Sequence, residues 1–379
     1  MVVEEVTGLS ATGPRPRAHS RRMEVVTGRK GGAWFRAAAS SVYRNDPNWT
    51  PPLPGEEEDA FAQADRSRRW VLFEQGVPIA RVAAFLPPRH PGVGYFGFFE
   101  CPDDPVAATE LLRSAEEWLA DRGCHECYGP IAGTPRDRIG LLIEGFNRPA
   151  MIFTPYNPTW YRSLLESAGY SAGVFLRAYG WSPGYDDHRG MLRLAHRAER
   201  DDAIRIRPIR PGRLGEETRL IATLVNETMA GAWHYDPIDD REAEQMARLL
   251  RPILDPRIAL VAEDSVGPCG VALAVPDMNW LWRRMRGRVW PAGWIELLRW
   301  RRRIPAARMM ALGLSRRVRG SSIALRMIGQ LHAAGLARGF AEGELTQVFD
   351  DNHSMRRILE RMGFPVVRRY AVFRRSIQG

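Results

Sequence analysis

The chain has 379 residues, 45% of them hydrophobic, and a formal net charge of +10 from 54 Lys and Arg against 44 Asp and Glu. That length can fill two cores of ordinary size, whereas no uncharged apolar run reaches the ~18 residues that span a bilayer and no apolar signal core follows the basic start. Four cysteines, Cys101, Cys124, Cys127 and Cys269, are too few for a disulfide framework, so a reducing cytoplasm is expected. The C-x-x-C spacing of Cys124 and Cys127 lacks the second ligand pair that zinc requires, so no metal is expected. The basic balance points to an anionic partner: nucleic acid, a phosphorylated cofactor or a membrane surface.

In chain order, residues 1–21 are polar and lack apolar periodicity, which predicts a loose tail. A strand-like "MEVV", a helix near 32–45 and the extended runs "RWVLFEQGVPIARVAAFL" and "GVGYFGFFE" follow. Next come a helix at 104–122, a strand "ECYGPI", a helix at 158–168 and a strand "GVFLRAYGW". The second half opens with "AIRIRPI" and helical patterns at 213–231 and 239–254, then a strand pair 258–275 turning at Val266-Gly267. After the insert 280–304 come strand "ARMMALGL", helix 321–338, strand "EGELTQVF", helix 353–362 and strand "VRRYAVFRR". This order predicts an α/β (α+β) fold of two tandem units, residues 22–190 and 200–379, each a mixed and mostly antiparallel sheet flanked by helices.

The insert sets Trp280, Trp282, Trp290, Trp294 and Trp300 beside eight arginines. Indole and guanidinium together suit an anionic bilayer interface, while a buried hairpin with snorkelling arginines and a platform for single-stranded nucleic acid are the alternatives. No groove-reading motif accompanies the charge, so nucleic acid is not expected. The two halves share a signature: "YRSLLESAGYSAGVFLRAY" (161–179) registers on "MRRILERMGFPVVRRYAVF" (355–373), with Gly169 on Gly363 as helix C-caps. Counting back from Gly123 and Gly339 aligns "ECPDDPVAA" with "SRRVRGSSI". The second half therefore has arginines and Gly320 at a helix N-terminus, a place for phosphate, where the first has acids and proline. An ordinary capped helix with a solvated basic turn is the plain alternative.

The series "MMALGLS", "RRVRGSS", helix, "ELTQVF" and "DDNHSMRRILERMGF" resembles the acyl-CoA core of the GNAT (GCN5-related N-acetyltransferase) superfamily. The resemblance implies that Leu314, Arg316, Arg317, Arg319, Gly320, Ser321 and Ser322 hold the CoA and that Asn352 places its pantetheine arm. The sequence departs from the family at Leu359, where many members carry a tyrosine as general acid. "FGFFE", "GLLIEGF", "PYNPTWY", "FDDN" and "PDMN" further resemble a bacterial double-GNAT group that includes a ceramide synthase.

Amide formation from a thioester needs a base for the ammonium and a proton source for the thiolate. Glu344 and Asp277 are the candidate bases, and His234 and Tyr235 in "AWHYDP" the candidate donors, each with a packing or turn role as its alternative. Tyr156, Asn157 and Asn279 are candidate substrate contacts, the degenerate first half then serving as wall for a fatty chain. The expected activity is transfer of a long acyl group from acyl-CoA, or acyl carrier protein, to a sphingoid base by a cytoplasmic protein peripherally held at the inner membrane. A soluble acetyltransferase of a small amine and a non-catalytic acyl-CoA binder are the competing readings.

Overall fold

The computed structural model describes residues 21–51, 57, 61, 65–133, 138–182, 204–285, 303–319 and 322–377. The predicted tail up to residue 20, insert residues 286–302, and Gly320 and Ser321 of the basic loop lie outside the described residues. The first half runs β1 (Arg21–Val25), α1 (Gly28–Val42), β2 (Ser67–Glu74), β3 (Val77–Phe85), β4 (Val93–Glu100), α2 (Pro105–Ala120), β5 (Glu126–Gly129), β6 (Leu141–Glu144), α3 (Tyr161–Ser167) and β7 (Ser171–Trp181). The second runs β8 (Arg205–Pro208), α4 (Leu214–Met229), α5 (Asp240–Leu250), β9 (Ala259–Asp264), β10 (Gly267–Pro276), α6 (Met278–Met285), β11 (Ala306–Leu314), α7 (Ile323–Arg338), β12 (Glu342–Phe349), α8 (His353–Arg361) and β13 (Val366–Ser376).

Local chemistry sets the boundaries. Asp104 caps α2 by accepting from Val106 and Ala107 N–H, and Asp239 with Glu242 forms a capping box on α5. The β9–β10 turn is closed by Asp264, which accepts from Val266 and Gly267 N–H. Gly169 and Gly363, at φ +85° and +79°, end the duplicated helices in the left-handed region.

All strands join one sheet of order β1-β2-β3-β4-β5-β13-β7-β12-β11-β10-β9-β8, with β6 also on β13. The halves exchange their last strands. β13 pairs with β5 from Phe373↔Gly129 to Ser376↔Glu126, β7 pairs with β12 from Gly343↔Trp181 to Phe349↔Leu176, and the two exchanged strands pair with each other. Because side chains alternate along a strand, each exchanged strand enters two cores. Ala371 and Phe373 lie in the core under α2 and α3, and Tyr370 and Val372 in the core on the α1 face. Tyr179 and Trp181 lie in the core under α7 and α8.

Two strand pairs are parallel, β4–β5 and β11–β12. The β11–β12 pairing covers Ala306↔Glu342 to Met309↔Leu345, after which β11 continues along β10 and β12 along β7, so the pair parts into a V. In the first half the corresponding gap is filled: Ile131 N–H bonds Phe96 O at 2.8 Å and β6 continues along β13 where β5 ends. Gly97 permits that approach, since a Cβ there would lie 2.0 Å from Ile131 O.

Candidate active site

At the open end of the V, β11 leads through a basic 3₁₀ turn, Arg316–Val318, into α7. The turn already faces an anion of the chain: the Glu227 carboxylate, from the last turn of α4, accepts from Arg316 N–H and Ser315 Oγ. The Arg316 N–H beside it holds that carboxyl below the usual range. The arginines divide their roles. Arg317 clasps the β9–β10 turn, bonding Asp264 at 2.8 Å and the carbonyls of Gly267 and Pro268 at 3.0 and 2.8 Å. Arg319 donates to Glu227 O, while the Arg316 guanidinium has no ion pair among the described residues. Leu314 is tied through both backbone groups to Thr228 Oγ1, at 2.8 and 3.1 Å, and Ser322 stands at the N-cap of α7. Asn352 caps α8 through Met355 N–H, and Leu359 is fully buried. In the first half the Asp104 carboxylate, paired with Arg21, occupies the matching helix start.

Glu344 and Asp277 meet in one buried charge cluster. Antiparallel and parallel register put Arg308, Glu344 and Gly180 side by side, so Arg308 and Glu344 share a face. On that face Arg368 Nε lies 3.0 Å from Glu344 Oε2, the two side chains 1% and 2% exposed. The cluster grips the segment after β6. Arg368 donates to the carbonyls of Gly145, Arg148 and Pro149, Arg308 to Ile152 O, and Asn279 and Arg283 to Ala150 O. Asp277 Oδ1 accepts from Ile152 N–H at 2.8 Å and from Asn279 N–H at 3.2 Å. Burial pushes the Asp277 carboxyl up to about 6, against the lowering effect of Arg283, 3.9 Å away, and of those two N–H groups. The "PDMN" and "GLLIEGF" motifs are thus the two sides of a clamp between the halves.

His234 and Tyr235 lie elsewhere, on the loop after α4. His234 Nδ1 is 3.1 Å from Tyr95 Oη, and its ring stacks on Trp233 and His90. Burial, and then His90, push its imidazole down to about 4. Tyr235 donates to Asn226 Oδ1 at 2.6 Å. Tyr156 donates to Asp46 Oδ2 at 2.8 Å, and Asn157 pairs both its amide groups with the backbone of Leu142. Both line a cleft in the first half, with Asn279 at its edge. Sequence reading missed Arg368 and Arg308, whose signal is an arginine at an inward strand position, and Tyr179, whose phenol crosses from β7 to Glu360 at 3.3 Å beside the Leu359 core. All four cysteines are buried and free.

No family model matches the sequence. It is 27% identical over 363 residues to Protein YghO of Escherichia coli strain K12, covering 90% of this chain and 92% of that one. It is 25% identical over 366 residues to a bacterial ceramide synthase of Caulobacter vibrioides, covering 90% and 94%. The fold matches a tandem GNAT protein from the clavulanic acid biosynthesis pathway, with TM-score 0.60, 12% identity and coverage of 95% and 99%. It also matches a GCN5-related N-acetyltransferase from Sphaerobacter thermophilus, with TM-score 0.54, 17% identity and coverage of 94% and 96%. The chain thus shares the fold of tandem GNAT proteins and is similar in sequence, along nine-tenths of its length, to a bacterial ceramide synthase.

Proposed function

We propose that this GNAT-type N-acyltransferase moves a long acyl chain from a CoA or carrier-protein thioester to the amine of a sphingoid base at an anionic membrane surface. The observation that carries the reading is the asymmetry of the halves: a parallel strand pair that parts beside a basic turn in the second, and a filled gap with an acid-capped helix in the first. Beyond Met309, β11 pairs only with β10 among the described residues, so its other edge offers backbone donors and acceptors to an amide-bearing arm. The turn that receives the Glu227 carboxylate offers the same N–H to a diphosphate, with Arg316 beside it. The similarity to a ceramide synthase supports the acceptor class. The start of the Trp/Arg insert supports the membrane site: in α6 the Arg284 guanidinium lies 4.2 Å over the Trp280 ring. Among the described residues no helix is long and apolar enough to cross a membrane.

In this reading the acceptor ammonium loses its proton to Asp277, whose carboxyl at about 6 is a matched base near neutrality. The amine nitrogen then attacks the thioester carbonyl, the C–S bond breaks and the thiolate takes up a proton. Glu344 acts by holding Arg368, and so the clamp, in place.

The test is free-thiol release from acyl-CoA of two to eighteen carbons, with and without sphinganine. Release that requires both a long chain and the base is expected. Turnover of acetyl-CoA with a small amine, in place of that pattern, overturns it.

A further inference from the structure

The first half holds a cleft of about 100 Å³ on β4 beyond the Ile131–Phe96 bond that closes the gap to β5. Its floor is a charged triad: Arg81 Nη1 lies 2.9 Å from Glu57 Oε1 and Nη2 3.6 Å from Glu100 Oε1, with side chains 4%, 6% and 14% exposed. Two carboxylates thus share one guanidinium in a place largely closed to water. Tyr161 fixes Glu100 by donating to its Oε2 at 2.8 Å while accepting from Cys101 N–H. Burial lifts the Glu100 carboxyl above the usual range, against Arg81 and the phenols of Tyr43 and Tyr161. Two buried carboxylates against one guanidinium leave the triad one positive charge short, and a cation from outside would remove the deficit. A second, independent observation calls for an acceptor beside that cation: Arg81 Nε is buried with no hydrogen-bond partner, and its N–H can only donate. The walls are aromatic, with Phe98 under the guanidinium at 5.5 Å and Trp49 at the lining. Asn279 and Ala150, the contact between α6 and the clamp segment, form part of the lining, so the cleft reaches the seam beside Asp277.

We propose that this cleft is where the polar head of the acyl acceptor, a primary ammonium with a neighbouring oxygen, docks before transfer, the ammonium on Glu100 and Glu57 and the oxygen on Arg81 Nε, and that the amine then leaves it along the seam to reach Asp277. The proposal deepens the function proposed above and rests on it. It assigns to the half without a diphosphate site the recognition of the amine, and to "FGFFE" the carboxylate that recognises it.

The test is calorimetric binding of an eight-carbon sphinganine analogue to the full chain without acyl-CoA, which separates recognition from turnover. Saturable binding is expected, weakened at least tenfold by Glu100→Gln with an unchanged thermal midpoint, and by N-acetylation of the analogue on the native protein. Undiminished binding of the Glu100→Gln protein overturns the proposal, as does equal binding of the N-acetylated analogue, which decides the matter should the variant not fold. Glu100-dependent binding without thiol release from any acyl-CoA would uphold the cleft and refute acyl transfer.

Discussion

Replacing Arg368 by Met removes the guanidinium from a pair in which Glu344, 3.0 Å away, is 2% exposed and has no route to water. Breaking a buried pair from one side costs up to about 3–5 kcal/mol, and Arg308, beside Glu344 on the same face, offsets part of that loss. The same change strips a donor from the carbonyls of Gly145, Arg148 and Pro149, so the loss falls on the clamp as well as on the pair. Glu344→Gln should cost less, about 1–2 kcal/mol, because Arg368 keeps its three carbonyls and an amide oxygen in place of the carboxylate. The double variant Glu344→Leu/Arg368→Met should cost less than the sum of the single losses, since neither partner of the pair is then left facing a missing one, although Arg308 stays buried beside the site. The assay is urea denaturation of the full chain, followed by tryptophan fluorescence and far-ultraviolet circular dichroism together. An Arg368→Met protein within about 0.5 kcal/mol of the native one, or strict additivity in the double variant, would refute the clamp.

Asp277, at about 6 when folded, keeps a proton between about pH 4 and 6 that the unfolded chain has lost, so its contribution to stability falls as pH rises through that window, by about 1.4 kcal/mol per unit. The difference in stability between the native and Asp277→Asn proteins should follow that slope from pH 4 to 6; a difference that does not change with pH contradicts the burial argument. His234, pushed down to about 4, works in the opposite direction: the fold excludes the proton that an unfolded imidazole binds near 6.5, so stability is lost as pH falls between those values, reduced by the screening at a partly buried ring. Its imidazole resonances should remain those of the neutral ring at pH 5, and titration near 6.5 would contradict this. Arg316→Ala should raise KM for acyl-CoA about tenfold, the loss of one charge-assisted contact, while Arg317→Ala should lower the thermal midpoint by freeing the β9–β10 turn and leave KM nearly unchanged. The reverse order would move the diphosphate contact to Arg317.

Most elements were legible because their signals are local. The predicted helices at 104–122 and 213–231 are α2 and α4 to within two residues at each end, and the turn predicted at Val266-Gly267 joins β9 to β10. Strand exchange was not legible. The helix-glycine-strand units 161–179 and 355–373 carry the same pattern, so either terminal strand fits either edge as far as apolar alternation can tell. Glu344 was legible as a carboxylate on the strand after α7, but its partner Arg368 comes from the start of β13, and Gly145 to Pro149 from the other half. Asn157 stood out by type, yet its amide serves the Leu142 backbone, a role that periodicity cannot distinguish from a ligand contact. Glu100 was visible only as the end of "FGFFE", because the charges it meets lie on β3 and at Glu57.

What decides the exchange is the chemistry at positions that the duplication makes equivalent. Shifting by 194 residues, the offset that sets Gly169 on Gly363, places Arg177 against Ala371 and Val174 against Arg368. Ala371 is fully buried in the first-half core, whereas Arg177 is bound through two nitrogens to Asp350 at 2.6 and 3.1 Å on the second-half side. If each terminal strand returned to its own half, Arg177 would enter the first core without Asp350, and Val174 would replace Arg368, leaving Glu344 without its guanidinium. The first is an unpaired buried charge, of order 3–5 kcal/mol, and the second leaves Glu344 to Arg308 alone, so together they are a large share of the net stability of an ordinary domain. The two halves are therefore held in the exchanged state by polar residues rather than by apolar pattern. That is why the clamp charges sit at the seam, where Arg368 of the exchanged strand meets Glu344 and the carbonyls of Gly145 to Pro149.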